Sequence, residues 1–530
     1  MGLIQNPVLR GFQPDPSMIR VGSDYYIATS TFEWFPGVQI HHSRDLANWS
    51  LIARPLDRVS QLDMLGTPDS CGVWAPCLSY ADGVFYLIYT NVRSFQGPWK
   101  DTPNYMVTSR SIKGPWSEPI YLNSSGFDPS LFHDEDGRKW LLNMVVDHRG
   151  GKFFGGIYLQ EFDQEQQCLI GPVYHIFGGT ELGCTEGPHL YRRDGMYYLV
   201  LAEGGTEYAH AVTVARSSRI TGPYEVHPDN PVITALHEPN HPLQKTGHAS
   251  FVADEDGTWY AAFLASRPIK PRGRCTLGRE TALEQLDWGD DGWPRLACGG
   301  KLPRLEVEVP HPPKPFLKMP AERDDFNTFD LDPVWQSLRI PVNESWLSLS
   351  RRPGHLRLFG RESLSSLHRQ SLIARRVTSH HIEAGCSMVF EPTSFQQMAG
   401  LVCYYNSLHY HYLYLSVDDQ GRRLLNIASS DRDAVREPLG EGLIYPHDLP
   451  VYLKVVFKGA SLRFFYGSSP QAWLPIGPEL DGSILSDDYV CDAARKYQPA
   501  FTGAFVGLCC QDLSGQGQHA DFDWFEYRAH

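Results

Sequence analysis

The chain has 530 residues, of which 42% are apolar, 12% aromatic and 20% charged, and its formal net charge is −14. That length requires more than one hydrophobic core. The acidic balance argues against a nucleic-acid partner, which draws on an excess of Lys and Arg, and no run of 18 apolar residues predicts a membrane-spanning helix.

The first residues, Met1-Gly2-Leu3-Ile4-Gln5-Asn6-Pro7, carry neither a basic segment nor an apolar one. A cytoplasmic location is therefore expected, and the sequons at Asn48, Asn123 and Asn343 are read as chance. The 11 cysteines are odd in number and lack CxxC spacing, so neither a disulfide framework nor a zinc ribbon is expected.

Five stretches then repeat one pattern. They open at Asp15, Trp74, Asp128, Glu186 and His248, spaced 59, 54, 58 and 62 residues apart. Each passes through apolar residues to a turn, with glycine nine positions on at Gly83, Gly137, Gly195 and Gly257, and Asp24 in that place in the first. An aromatic follows at Tyr26, Tyr86, Trp140, Tyr198 and Tyr260. Runs such as Tyr25–Ser30, Phe85–Thr90 and Tyr197–Ala202 read as short strands. A second feature lies between openings, where Ser43–Trp49, Ser109–Trp116 and Ser217–Tyr224 resemble one another. Each reads as a strand end, a turn and an aromatic packed against the next blade. Repeats of this size, built of short strands, predict an all-β fold that starts with a five-bladed β-propeller over residues 1–302. The five opening residues then converge on one axis.

A proline-rich connector is expected over 303–321, stiffened by Pro310-His311-Pro312-Pro313-Lys314-Pro315. Beyond it, residues 322–530 alternate as short strands without the five-fold repeat, which predicts a β-sandwich.

Three of the five openings are carboxylates: Asp15, Asp128 and Glu186. Glycosidic bonds are cleaved by two carboxyl groups, one protonating the leaving oxygen and the other activating water or attacking directly. A third can hold the acid protonated by its negative charge. Asp-Pro is also an ordinary turn, but the equivalent position of all three in the repeat favours chemistry. Trp74 fits a sugar platform or propeller core equally. His248 fits a sugar contact, a water-mediated metal ligand, an orienter of a carboxylate, or a satisfied core histidine. Phe32-Glu33-Trp34-Phe35 reads as a pocket rim or a hydrophobic plug. His237-Glu238-Pro239-Asn240-His241 matches the zincin pattern, but Pro239 forbids the helix that pattern requires.

Several segments together resemble glycoside hydrolase family 43, in particular its two-domain β-xylosidases. They are Asn6–Ser17, Ala28–Val38, Thr185–Tyr191, Gly247–Ser250 and Leu277–Thr281, with Ser394–Leu401 and Phe501–Gly507 in the second half. The resemblance implies an inverting enzyme in which Asp15 is the general base, Glu186 the general acid, and Asp128 the residue that raises and orients the acid. It implies that Arg279 contacts the terminal sugar and a carboxylate, and that Phe32, Trp74, Phe127, Thr206 and His248 line the pocket. It also implies that a loop of the sandwich closes one side of the pocket; which phenylalanine in 501–505 reaches it is left open. The segment 268–278 departs from the family by being short and basic, with Lys270, Arg272 and Arg274 following Arg267. An inverting pair lies ~6.5–9.5 Å apart.

The expected function is an exo-acting β-1,4-xylosidase (xylan 1,4-β-xylosidase) that frees xylose from the non-reducing end of xylo-oligosaccharides. A side α-L-arabinofuranosidase activity is expected. The alternatives are an enzyme that is mainly an α-L-arabinofuranosidase, and a carbohydrate-binding propeller without catalysis. No cofactor is required by this chemistry; calcium near His248 is a further candidate. A homo-oligomer is expected from the family, with no nucleic-acid or membrane partner.

Overall fold

The structure is a computed structural model that describes residues 2–309, 321–432, 434–446, 449–491 and 499–530. Its first half is a ring of five antiparallel sheets. Blade one is Ser17–Val21, Asp24–Thr29, Gln39–Ser43 and Ser50–Ala53. Blade two is Gly72–Ala81, Val84–Val92, Asn104–Ser109 and Ile120–Asn123. Blade three is Gly126–His133, Lys139–Val146, Phe154–Asp163 and Cys168–Phe177. Blade four is Glu186–Arg193, Met196–Glu203, Ala211–Ser217 and Glu225–Val226, with Ile233–Thr234 also on its third strand. Blade five is Gln244–Ala253, Trp259–Ser266, Glu280–Trp288 and Pro294–Leu296.

The innermost strand of each blade packs against those of both neighbours, which closes the ring. The N-terminus fastens the closure: Gly2–Gln5 pairs antiparallel with Glu306–Val309. The Asn6 side chain donates to the Leu283 carbonyl at 2.7 Å and accepts from the Leu283 N–H at 2.8 Å. The connector expected over 303–321 therefore begins as this strand, because the ring needs a partner for its N-terminus. Its proline run, 310–320, lies outside the described residues.

The aromatics Trp49, Trp116 and Tyr224 pack against the preceding blade, not the next. Trp49 shares a core with Tyr260 and Leu283 of blade five, Trp116 with Val38 and Ile40 of blade one, and Tyr224 with Leu159 and Ile176 of blade three. Trp49 and Tyr224 fold back on their own turns, donating to the Leu46 and Ile220 carbonyls at 2.8 and 2.9 Å. That keeps each ring on the face already turned to the blade before.

The second half is a β-sandwich of an eight-stranded and a nine-stranded sheet. Between them lies one core that includes Trp346, Leu401, Leu413, Phe457 and Phe522. The nine-stranded sheet takes a strand from the propeller chain: Trp34–Phe35 pairs antiparallel with Gln336–Leu338. The segment 32–35 is thus divided. Phe32 turns to the pocket, while Trp34 stacks on Phe505 of the sandwich, with ring centroids 3.8 Å apart and planes 13° apart. The two halves share a sheet, so the sandwich is fixed over one end of the ring.

Candidate active site

The repeat is a repeat of backbone shape as well as of sequence. In blades two to five the innermost strand slips register at its opening residue, between Trp74 and Cys77, Phe127 and Ser130, Glu186 and His189, and Gly247 and Ser250. Asp15, Asp128 and His248 adopt left-handed backbone at φ 57°, 54° and 47°, and Gly187, after Glu186, at 59°. Such conformers cost about 1–3 kcal/mol each outside glycine. The bulge frees the opening side chain from the alternation of the strand and aims it along the ring axis. Gly187 is required for a second reason: a Cβ there would lie 2.8 Å from Nε2 of His248.

All nine residues expected at the site from sequence line one pocket: Asp15, Phe32, Trp74, Phe127, Asp128, Glu186, Thr206, His248 and Arg279. His210 and Phe501 complete the lining. Asp15 is buried; its Oδ2 accepts the Ser30 hydroxyl at 2.6 Å, and its Oδ1 accepts Nη1 of Arg279 at 3.1 Å. Nδ1 of His248 stands 3.5 Å from the same Oδ1. Asp128, also buried, accepts the Gly187 N–H on Oδ2 at 3.1 Å. Glu186 is half-buried at the start of its strand.

Burial, then the charges of Asp128 and Asp15, hold the Glu186 carboxyl well above the usual range, against the pull of Arg279. Burial and the Asp15 charge push Asp128 up to about 8, opposed by the Gly187 N–H and Arg279. Two adjacent carboxyls cannot both ionise cheaply. The Gly187 N–H favours the charge on Asp128, which leaves the proton on Glu186. Burial and Arg279 lower His248 despite the opposing pull of Asp15, and burial lowers His210 to about 3, so both imidazoles are neutral near pH 7. Nδ1 of His210 lies 3.2 Å from the Lys245 carbonyl oxygen, and its Nε2 has no partner within the protein. With Nδ1–H donating to that carbonyl, Nε2 is an acceptor.

A family model described as glycosyl hydrolases family 43 matches residues 4–294, and one described as the beta xylosidase C-terminal concanavalin A-like domain matches residues 323–528. The chain belongs to glycosyl hydrolases family 43. It is 51% identical to a beta-xylosidase of Bacillus subtilis (strain 168), over 99% of both chains. It is 49% identical to xylosidase/arabinosidase 43B of Humicola insolens, over 100% of this chain and 98% of that one. The crystal structure of a xylan beta-1,4-xylosidase from Bacillus halodurans C-125 superposes with a TM-score of 0.96 at 51% identity, covering 99% of this chain and 100% of that one.

In this family 43 hydrolase the three carboxyls share the pocket with an aromatic wall. Phe32, Trp74 and Phe127 come from the propeller, with Trp74 5.9 Å from Phe32 and 5.2 Å from Phe127 between centroids. Phe501 of the sandwich completes the wall at 5.9 Å from Phe32 and 5.3 Å from Trp74. The phenylalanine left open by sequence is therefore Phe501; Phe505 is spent on the stack with Trp34. His210 is the lining residue that sequence reasoning missed. His210 lies just before the third strand of blade four, where the repeat has no marker. For Phe501 the signal was the family resemblance of the run Phe501–Gly507, which contains two phenylalanines.

The basic segment lines no part of the pocket. Arg267 makes a two-pronged pair with Glu280 at 2.7 and 2.8 Å. Arg274 crosses to the sandwich, reaching Ser483 at 2.6 Å and Asp481 at 3.2 Å. Its charge serves docking of the two halves.

The surroundings of His248 do not fit calcium. That ion takes six to eight oxygen ligands. The carboxylate beside His248 is Asp15, already paired with Arg279. Among the described residues, the group of three convergent His and Glu side chains is His381, Glu383 and His530, in the sandwich. The zincin-like run 237–241 lies in turns, without a helix.

Proposed function

We propose that the protein is an exo-acting β-1,4-xylosidase that releases xylose from the non-reducing end of xylo-oligosaccharides with inversion at the anomeric carbon. The observation that carries this is the convergence of three carboxyls from three blades in a pocket that Phe501 closes on one side. A closed pocket accepts one terminal sugar and leaves the rest of the chain outside. Asp15, ion-paired with Arg279 and hydrogen-bonded to Ser30, takes a proton from the attacking water. Glu186 gives its proton to the leaving glycosidic oxygen, and Asp128 restores that proton's preference for Glu186 by its nearby charge. His210 and Arg279 provide an acceptor and a donor for sugar hydroxyls.

The name of the Humicola insolens relative, a xylosidase/arabinosidase, supports a side activity on α-L-arabinofuranosides. Comparing kcat/KM on 4-nitrophenyl β-D-xyloside and α-L-arabinofuranoside tests the order of preference. A higher value on the arabinoside overturns the xylosidase reading. Tight xylobiose binding without turnover would instead make the protein a carbohydrate-binding module.

The reading includes action in the cytoplasm on imported oligosaccharides, which eleven free cysteines support; cell fractionation tests it. It also includes assembly into a homo-oligomer, which sedimentation tests.

A further inference from the structure

We infer that Glu33, which lines no part of the pocket, is a positioning residue that sets the aromatic wall by holding Ser70. The inference deepens the glycosidase reading above and rests on it. Glu33 is fully buried, and its Oε2 accepts the Ser70 N–H at 3.1 Å. Ser70 is buried too, in left-handed backbone at φ 59°. Its two oxygens then serve the wall. The Ser70 carbonyl accepts Nε1 of Trp74 at 3.0 Å, and its hydroxyl accepts the N–H of Phe501 at 3.1 Å. One residue therefore seats a ring from the propeller and a ring from the sandwich.

The rest of the loop is stitched to the same elements. Phe32 and Val73 exchange backbone hydrogen bonds at 3.0 Å in both directions. A Cβ at Gly72 would lie 2.4 Å from the Phe32 carbonyl oxygen, which shows how closely the two segments pass. Before Ser70, Asp69 pairs with Arg339 at 2.6 Å and accepts from Ser407. The Arg339 N–H in turn donates to the Glu33 carbonyl at 2.9 Å. These contacts bring the two halves together, but the contact that fixes the peptide of Ser70 itself is the Glu33 carboxyl. Burial and the neighbouring Asp69 push that carboxyl up to about 8, against the pull of Arg339. A neutral acceptor such as glutamine therefore matches it near pH 7.

Loss of the acceptor leaves the Ser70 N–H buried and unpaired, and lets the strained peptide turn. Stacking on the wall is binding shared by substrate and transition state, so its loss appears mainly in KM. Glu33→Leu, similar in volume without an acceptor, is expected to raise KM for 4-nitrophenyl β-D-xyloside about fivefold or more, with a smaller change in kcat. Glu33→Gln is expected to bring KM back to within about twofold of the original. Ser70→Ala removes only the hydroxyl under Phe501 and is expected to raise KM in the same sense. A wild-type KM in folded Glu33→Leu, or a Glu33→Gln variant as impaired as Glu33→Leu, overturns the inference. If Glu33→Leu does not fold, Ser70→Ala decides: a wild-type KM there overturns it. If the wild-type protein hydrolyses neither glycoside, the glycosidase reading fails. Xylobiose affinity by calorimetry, weakened or not in Ser70→Ala, then still decides the role of Ser70 in seating the wall.

Discussion

Arg279 and Asp15 form a buried ion pair, with Nη1 3.1 Å from Oδ1. The other end of the same guanidinium donates to the Phe501 carbonyl at 3.1 Å, and its plane lies over Phe32 and Phe501 at 5.4 and 5.6 Å. One side chain thus links the proposed base to the ring that closes the pocket. Arginine alone among the basic residues has a planar fork with enough donors for both. Arg279→Lys is expected to lower kcat/KM at least about 100-fold, since it keeps a charge but not the fork. Arg279→Ala is expected to cost about 3–5 kcal/mol of stability as well, by leaving Asp15 buried and unpaired. Steady-state kinetics and urea unfolding read the two effects.

The roles of Glu186 and Asp15 separate by leaving group. Glu186→Gln removes the proton donor, so turnover of xylobiose is expected to fall by about 10²–10⁴. An aryl xyloside with an acidic phenol needs little protonation and is expected to lose far less. Asp15→Asn is expected to impair both substrates to a similar degree. Equal losses on both substrates in Glu186→Gln would contradict the assignment of the acid.

The raised Glu186 carboxyl also predicts a pH dependence of stability. Its folded pKa lies above the unfolded value of about 4.3, so the native state holds the proton more tightly. That contribution is complete below pH about 4 and is lost as pH rises toward the folded pKa. Glutamine does not titrate. The melting temperature of Glu186→Gln minus that of wild type is therefore expected to grow as pH rises above about 5. Glu33, raised in the same direction, is present in both proteins and does not create the difference. A gap that shrinks with pH would contradict the assignment of the proton.

Phe501 is the contribution of the sandwich to the pocket. Phe501→Ala opens the closed side and removes packing against Trp74 and Phe32. KM for the aryl xyloside is expected to rise about tenfold or more, from the loss of roughly 1.5–3 kcal/mol of ring contact. Kinetics on the aryl xyloside, with circular dichroism as a check of folding, test this.

The chemical centre was legible because the propeller repeats. Asp15, Trp74, Asp128, Glu186 and His248 hold the same place in successive blades, and the ring brings equal places together. What the sequence did not disclose depends on contacts without a period. His210 enters beside blade four from a position that has no counterpart in the other blades. Phe501 arrives from across the domain boundary, and its choice over Phe505 is made by the stack on Trp34. The pairing of Trp34–Phe35 with Gln336–Leu338 joins residues some three hundred positions apart, and nothing local marks either strand for the other. The direction in which Trp49 and Tyr224 pack was likewise set by how their turns fold back.

In the proposed reaction Asp15 activates water while Glu186 protonates the leaving oxygen, in one displacement. Proton NMR of the first sugar released from xylobiose or an aryl β-xyloside, recorded before the anomers equilibrate, tests it most directly. α-Xylose is the expected initial product. An initial signal from β-xylose would mean retention through a covalent intermediate and would contradict it.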